Sequence, residues 1–167
     1  MLAGARMMQR RARQDPSKNL VGFVVGAVRY AVGIQSVREI VNPLALVDLP
    51  GAAHDVMGVA DYRDEVVPVL DMRKRFGLEE VPMTRRTKWI VLDPGDGVRL
   101  VAIVVDAVTE VFRSDESALR PAPAVGSGAS VRGIAGVTTY GGELVFVLDV
   151  ARIAEITEPE QPVGGVA

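Results

Sequence analysis

Glu65-Val-Val-Pro-Val-Leu-Asp71-Met72 returns later in the chain as Glu143-Leu-Val-Phe-Val-Leu-Asp149-Val150. Each version opens on an acid, runs through apolar residues and ends on an aspartate, the pattern of a buried strand followed by a helix N-cap whose carboxylate accepts backbone N–H groups. The pairing extends backwards. Ala31-Val-Gly-Ile-Gln-Ser-Val37-Arg-Glu39-Ile40 aligns with Ala102-Ile-Val-Val-Asp-Ala-Val108-Thr-Glu110-Val111, and Val56-Met-Gly58-Val-Ala60 aligns with Val131-Arg-Gly133-Ile-Ala135. Three blocks in the same order, carrying matched Gly, Glu and Asp, favour an internal duplication over chance similarity among valine-rich strands. The length difference, Asp61–Asp64 against Gly136–Gly142, is assigned to a turn, where insertions are tolerated.

Around these blocks, short β-branched runs alternate with Gly, Pro, Asp and Asn, which predicts many short strands. The clearest are Leu20–Val25, Val28–Val32, Val66–Leu70, Trp89–Leu92, Val98–Val105 and Leu144–Leu148, with Pro94-Gly-Asp-Gly97 as a hairpin turn. Short helical turns are predicted over Ile34–Val41, Leu70–Phe76 and Val150–Ile156, and a loop over Leu119–Ser130. A half with about five short strands is best closed as a small barrel, because closure removes unpaired edges. The fold expected is therefore mostly β: two similar five-stranded, SH3-like barrels, about 19–86 and 87–157, packed on a shared hydrophobic core, with short connecting and C-terminal helices. Residues 1–18 are expected to form a basic, disordered tail and 158–167 a flexible one.

Composition narrows the chemistry. The 167 residues include no Cys, so a disulfide framework, a thiolate metal site and a cysteine nucleophile are all excluded. No apolar run reaches the roughly 18 residues of a membrane helix, and Met1–Arg13 lacks the pattern of a secretory signal. Membrane insertion is not expected. The net charge is −2, with Arg6, Arg10, Arg11, Arg13 and Lys18 gathered near the start. That basic arm either solubilises the terminus or touches an anionic partner. A basic surface interleaved with aromatics is missing from the body, so nucleic-acid binding is not expected.

His54, the single histidine, has no second His or Cys to complete a metal or nucleophile site and reads as a loop residue. Glu79-Glu80 and Asp115-Glu116 read as solvated acids. No glycine-rich phosphate loop follows a strand and opens a helix. No catalytic residue, metal ligand or cofactor is assigned. Binding is the class the residues favour over catalysis.

The ordered set Val37-Arg-Glu39-Ile40, Leu49-Pro50, Val56-Met-Gly58-Val59, Arg63, Val66-Val-Pro68-Val-Leu-Asp71-Met-Arg73, Val104-Val105-Asp106-Ala-Val-Thr-Glu110-Val111, Leu119-Arg-Pro121-Ala-Pro123, Gly133-Ile134 and Leu148-Asp149 closely resembles CheW-like domains over about Asn19 to Ile156. The resemblance implies two five-stranded barrels and a non-enzymatic adaptor role in chemotaxis signal transduction. Such an adaptor couples chemoreceptors to a CheA-type histidine kinase, in the cytoplasm at receptor clusters. It implies a receptor's cytoplasmic hairpin tip in the groove between barrels, the kinase regulatory domain on the first barrel, and other CheW-like domains as further partners. Matched by position, Val37, Glu39 and Arg63 fall on the receptor side, and Asp61, Tyr62, Asp64 and Val67 on the kinase side.

The chain departs from the family where Asn-Leu-Arg-Gly is usual and Asp61-Tyr62-Arg63-Asp64 stands here. Asp in place of Gly removes easy access to positive φ. A second expectation follows, in which receptors are bound while the kinase docks weakly or not at all. A third, from another class, is a small-ligand-binding double barrel, which requires convergent polar groups in a defined pocket.

Overall fold

In the computed structural model, residues 19–113, 119–121 and 133–156 are described, so the expectations for both tails and for most of the 119–130 loop lie outside the described residues. In chain order the strands are β1 (Asn19–Val25), β2 (Val28–Gly33), β3 (Val37–Val41), β4 (Val56–Tyr62), β5 (Glu65–Asp71), β6 (Lys88–Leu92), β7 (Val101–Val105), β8 (Ala107–Arg113), β9 (Ile134–Tyr140) and β10 (Glu143–Leu148). Helix α1 (Met72–Arg75) follows β5, and α2 (Val150–Ile156) follows β10. Both begin as the repeat predicts. Asp71 Oδ1 accepts from the N–H groups of Arg73 at 2.9 Å and Lys74 at 3.3 Å, and Asp149 Oδ1 from those of Ala151 at 3.1 Å and Arg152 at 3.4 Å.

The strands make two five-stranded sheets, the first ordered β8-β1-β2-β10-β9 and the second β3-β6-β7-β5-β4. Neighbours pair antiparallel except β2 with β10 and β5 with β7, which run parallel. If each strand of the second sheet is replaced by its repeat partner, the order of the first sheet results. The sheets are twins. Yet each takes strands from both halves of the chain, which corrects the expected division of strands into 19–86 and 87–157. The links explain the exchange: Asp106 alone separates β7 from β8, fewer residues than the roughly two of the shortest common hairpin loop. Between β2 and β3, Ile34–Ser36 form a single 3-10 turn with extended backbone on either side. Both links carry the chain across to the other sheet. The helical turn expected over Ile34–Val41 is thus confined to Ile34–Ser36, and Val37–Val41 is strand.

Strand alternation sorts the apolar residues into three clusters. In β5, Val67 and Val69 turn into the second sheet's own interior with Ala60, Tyr62, Trp89, Val91, Leu100 and Ala102. Leu70 and Met72 turn to a seam shared with the first sheet, packing with Phe23, Val32, Ile90, Leu92 and Ile103. Leu20, Ala31, Phe112, Val145 and Val147 fill the interior of the first sheet. Seam and two interiors are the arrangement expected of two curled units sharing a core.

The curl is visible at the edges. Strands β3 and β4 are opposite edges of the second sheet, yet the Tyr62 hydroxyl donates to Glu39. Strands β8 and β9 are opposite edges of the first, yet Phe112 and Tyr140 stack with centroids 4.3 Å apart. Side chains join the edges; no ladder between them is present among the described residues.

The structure also corrects the middle repeat block. Asp71 N–H donates to Asp55 O and Asp149 N–H to Gly133 O, which makes Asp55 and Gly133 partners in the repeat. The true counterpart of Gly58 is Gly136, not Gly133. A Cβ at Gly58 would lie 2.4 Å from Val47 O, and one at Gly136 would lie 2.7 Å from Arg120 O, because a crossing segment approaches each strand at that point. The β4–β5 and β9–β10 turns are consequently equal in length, and the insertion lies upstream.

Candidate partner-binding site

The pairing of β3 with β6 shifts register between Val37 and Glu39. Such an irregularity re-aims side chains. Val37 packs against the seam, whereas Val41, further along, packs against the second sheet's interior. Glu39 is turned to the mouth of that interior, beneath the β4–β5 turn.

The turn itself, Arg63-Asp64, has φ of 47° and 66°. Two successive left-handed residues join strands with the twist a two-residue hairpin needs, a position normally given to Asn and Gly. Arg63 reaches from it to Glu39 with both arms of its guanidinium: Nε to Oε2 at 3.1 Å and Nη2 to Oε1 at 3.2 Å. Its carbon lies 5.7 Å from the centroid of the Tyr62 ring. Hydrogen bonds from Tyr62 and then Arg63 hold the Glu39 carboxyl below its ordinary pKa. The Tyr62 phenol is raised, first by its bond to Glu39 and then by burial.

These groups line an open cavity of about 430 Å³, completed by Arg38, Glu65 and Leu100. Arg38 is anchored by Asp93 at 2.8 Å. The side chain of Arg63 remains 74% exposed while fully engaged, so its outer edge faces solvent. The rim is charged, fixed in direction and accessible, which suits a protein contact.

The structure does not gather the expected residues on one surface. Glu39, Tyr62 and Arg63 come together, Asp61 and Asp64 are exposed beside them, and Val37 lies apart on the seam. Val67 is 1% exposed inside the second sheet, which corrects its assignment to a kinase-facing surface. The outward residue of that pair is Val66, 62% exposed. Tyr62 is likewise buried at 7% and acts through its hydroxyl on Glu39. Arg38 and Glu65 stand inside the quoted motifs but carry no site role there, and Leu100, between β6 and β7, has no local signal because only the fold brings it to the residues of β3, β4 and β5.

A second polar group joins the sheets. Asp106, in the one-residue link between β7 and β8, accepts from Arg73 of α1 at 2.9 and 2.7 Å and from Gly26 N–H of the β1–β2 turn at 2.8 Å. Arg73 also donates to Glu79 O at 3.0 Å. Among the described residues, no group of His, Cys, Asp and Glu is placed to hold a metal, and no helix is long and apolar enough to cross a membrane.

Known proteins place this architecture. A chemotaxis protein CheW from Klebsiella aerogenes is 26% identical over 157 residues, 94% of this chain and 93% of that protein. The chemotaxis protein CheW of Helicobacter pylori is 29% identical over 103 residues, covering 62% of this chain and 61% of that protein. The crystal structure of the scaffolding protein TtCheW from Thermoanaerobacter tengcongensis superposes with a TM-score of 0.71 at 24% identity, over 79% of this chain and 88% of that one. Residues 19–158 match the CheW-like domain, and on that match this chain belongs to the CheW-like domain family.

Proposed function

We propose that this protein is a non-enzymatic scaffold that couples chemoreceptors to a CheA-type histidine kinase. The reading is supported by the family match over residues 19–158 and by relatives named chemotaxis protein CheW. The observation that carries it in the structure is Arg63, held in both arms by Glu39 yet largely exposed. Such a guanidinium is pre-aimed and can meet a carboxylate or carbonyl on a partner without losing much further freedom. Glu39 and Arg63 contact the receptor's cytoplasmic tip, and Asp61 and Asp64 flank that contact on the kinase side.

The test is parallel binding of the full chain to a receptor cytoplasmic tip and to a kinase regulatory domain. Arg63→Glu is expected to weaken the receptor complex about tenfold or more, because it sets two acids against each other at the contact. The thermal midpoint should change little, since the pair is screened by solvent. Unchanged receptor affinity, or loss of fold, would remove Arg63 from the contact.

A second reading rests on Asp64, whose φ of 66° occupies a place where the family usually has Gly. In it the receptor is bound while the kinase docks weakly, and separate titrations of the two partners distinguish the readings.

A further inference from the structure

The twin sheets can be compared residue by residue at the clamps that join their edges. In the second sheet Glu39 receives the Tyr62 hydroxyl and the Arg63 guanidinium. In the first sheet Glu110 of β8 and Tyr140 of β9 hold the same places, the Tyr140 hydroxyl donating to Glu110 at 3.4 Å. Stacking on Phe112 fixes the Tyr140 ring. The following turn is Gly141-Gly142, with φ of 58° and 80°, where the twin has Arg63-Asp64 at 47° and 66°. The backbone takes the same course. Only the guanidinium is missing.

The place it would occupy is open. A Cβ added at Gly141 or Gly142 would meet nothing within 4 Å. Arg29, on the strand that pairs with β10, is already engaged by Glu143 at 2.7 Å, and Glu110 has no cationic partner among the described residues. A carboxylate with two acceptor oxygens beside an aromatic face matches the planar fork of an arginine better than the point charge of a lysine. In the twin sheet the guanidinium that fills this place is carried on a peptide backbone, Arg63 standing in a hairpin turn, so the occupant that fits here is an arginine side chain within a polypeptide.

We propose that Glu110 and Tyr140, beside the open Gly141-Gly142 turn, form a docking subsite for an arginine side chain presented by a protein partner, the position that Arg63 fills from within the chain in the other sheet. The subsite lies in the first sheet and does not depend on the receptor and kinase roles proposed for the rim of the second.

The experiment follows the isotope-labelled full chain by NMR while N-acetyl-arginine methylamide, a mimic of arginine within a protein, is added. The lysine analogue and free arginine are titrated in parallel. Saturable shifts are expected at the Glu110 carboxyl and the Tyr140 ring, with the lysine analogue weaker and free arginine no tighter than the blocked form. Glu110→Gln should weaken the response about fivefold, the upper range for an exposed ion pair. Gly141→Arg should remove it, because the chain then supplies its own guanidinium; if that variant does not fold, the Glu110 variant decides. No saturable shift at Glu110, an equal response to lysine, or an undiminished response in Glu110→Gln overturns the proposal. Much tighter binding of free arginine overturns it in favour of a small-molecule site.

Discussion

Asp106 serves two elements at once, accepting from Arg73 of α1 and from Gly26 at the β1–β2 turn, and so ties the second sheet to the first. Burial raises its carboxyl pKa, but the hydrogen bonds from Arg73 and Gly26 outweigh burial and leave it below the ordinary value. A depressed folded-state pKa contributes stability that is complete above the unfolded value, about 3.9, and is lost as pH falls through the lower folded value. Asp106→Asn should therefore cost about 2 kcal/mol at neutral pH, with charge-assisted bonds lost from a pair only a quarter or so exposed. In urea unfolding the gap from wild type should narrow on acidification; a gap constant to the lowest pH at which the protein folds would remove the carboxylate from this role. Thr138 is the opposite case, fully buried with a hydroxyl that has no hydrogen-bond partner among the described residues, where its twin position is Ala60. Thr138→Val should stabilise by about 1 kcal/mol, since it removes an unsatisfied polar group at constant shape, and a raised denaturation midpoint is the check. The caps Asp71 and Asp149 were legible in the sequence because a cap bonds two or three residues onward. Asp106 was not, because its partners lie 33 and 80 positions away.

Among the elements, the β4–β5 hairpin carries a conflict its twin avoids. Both turns need two left-handed residues, which Gly141-Gly142 adopt freely and Arg63-Asp64 adopt at a steric cost. Asp64→Gly should stabilise the fold by about 0.5 kcal/mol, the relief of the left-handed strain less the entropy glycine loses. The bidentate Arg63–Glu39 pair should persist, seen as an unchanged depression of the Glu39 pKa by NMR. A loss of stability instead would give the Asp64 side chain a contact of its own. In the sequence, the turn's departure from the family's glycine is legible and draws attention to Arg63 within it. The inward direction of Tyr62 is not legible, because the direction of a strand residue depends on register with β5. The match of Gly58 with Gly133 fails because one glycine next to an apolar residue resembles another. What distinguishes Gly136 is the Arg120 carbonyl pressed against it, a tertiary contact without a local signature. The extended backbone of Val37–Val41 escaped for a similar reason, as its charged and apolar alternation becomes a strand only by pairing with β6.

For the molecule as a whole, the repeat fixes five strands per unit, but it leaves two ways to assemble ten strands from twin halves. Either each half closes on itself, with β3 beside β1 and β5 parallel to β2, or the halves exchange, and both bury the same faces. The chain adopts exchange: β8 lies beside β1 and β10 beside β2, while β3 lies beside β6 and β5 beside β7. The one-residue link at Asp106 cannot turn back, so β8 must cross, and twin geometry then leaves the matching place for β3. A consequence is that neither half holds a complete sheet. Cutting the exposed stretch 77–86 into fragments 1–83 and 84–167 leaves the first with the β1–β2 and β4–β5 hairpins but no β6–β7 between β3 and β5. It also strips Leu70 and Met72 of Ile90, Leu92 and Ile103 across the seam. Each fragment alone should show the collapsed amide dispersion of an unfolded chain in two-dimensional NMR, and an equimolar mixture should recover the spectrum of the intact protein. Sedimentation must accompany the spectra, because a fragment pairing with its own copy could mimic a fold. A monomeric 1–83 fragment with a dispersed, native-like spectrum would show that β3 can close on β1, and that exchange is not required for folding.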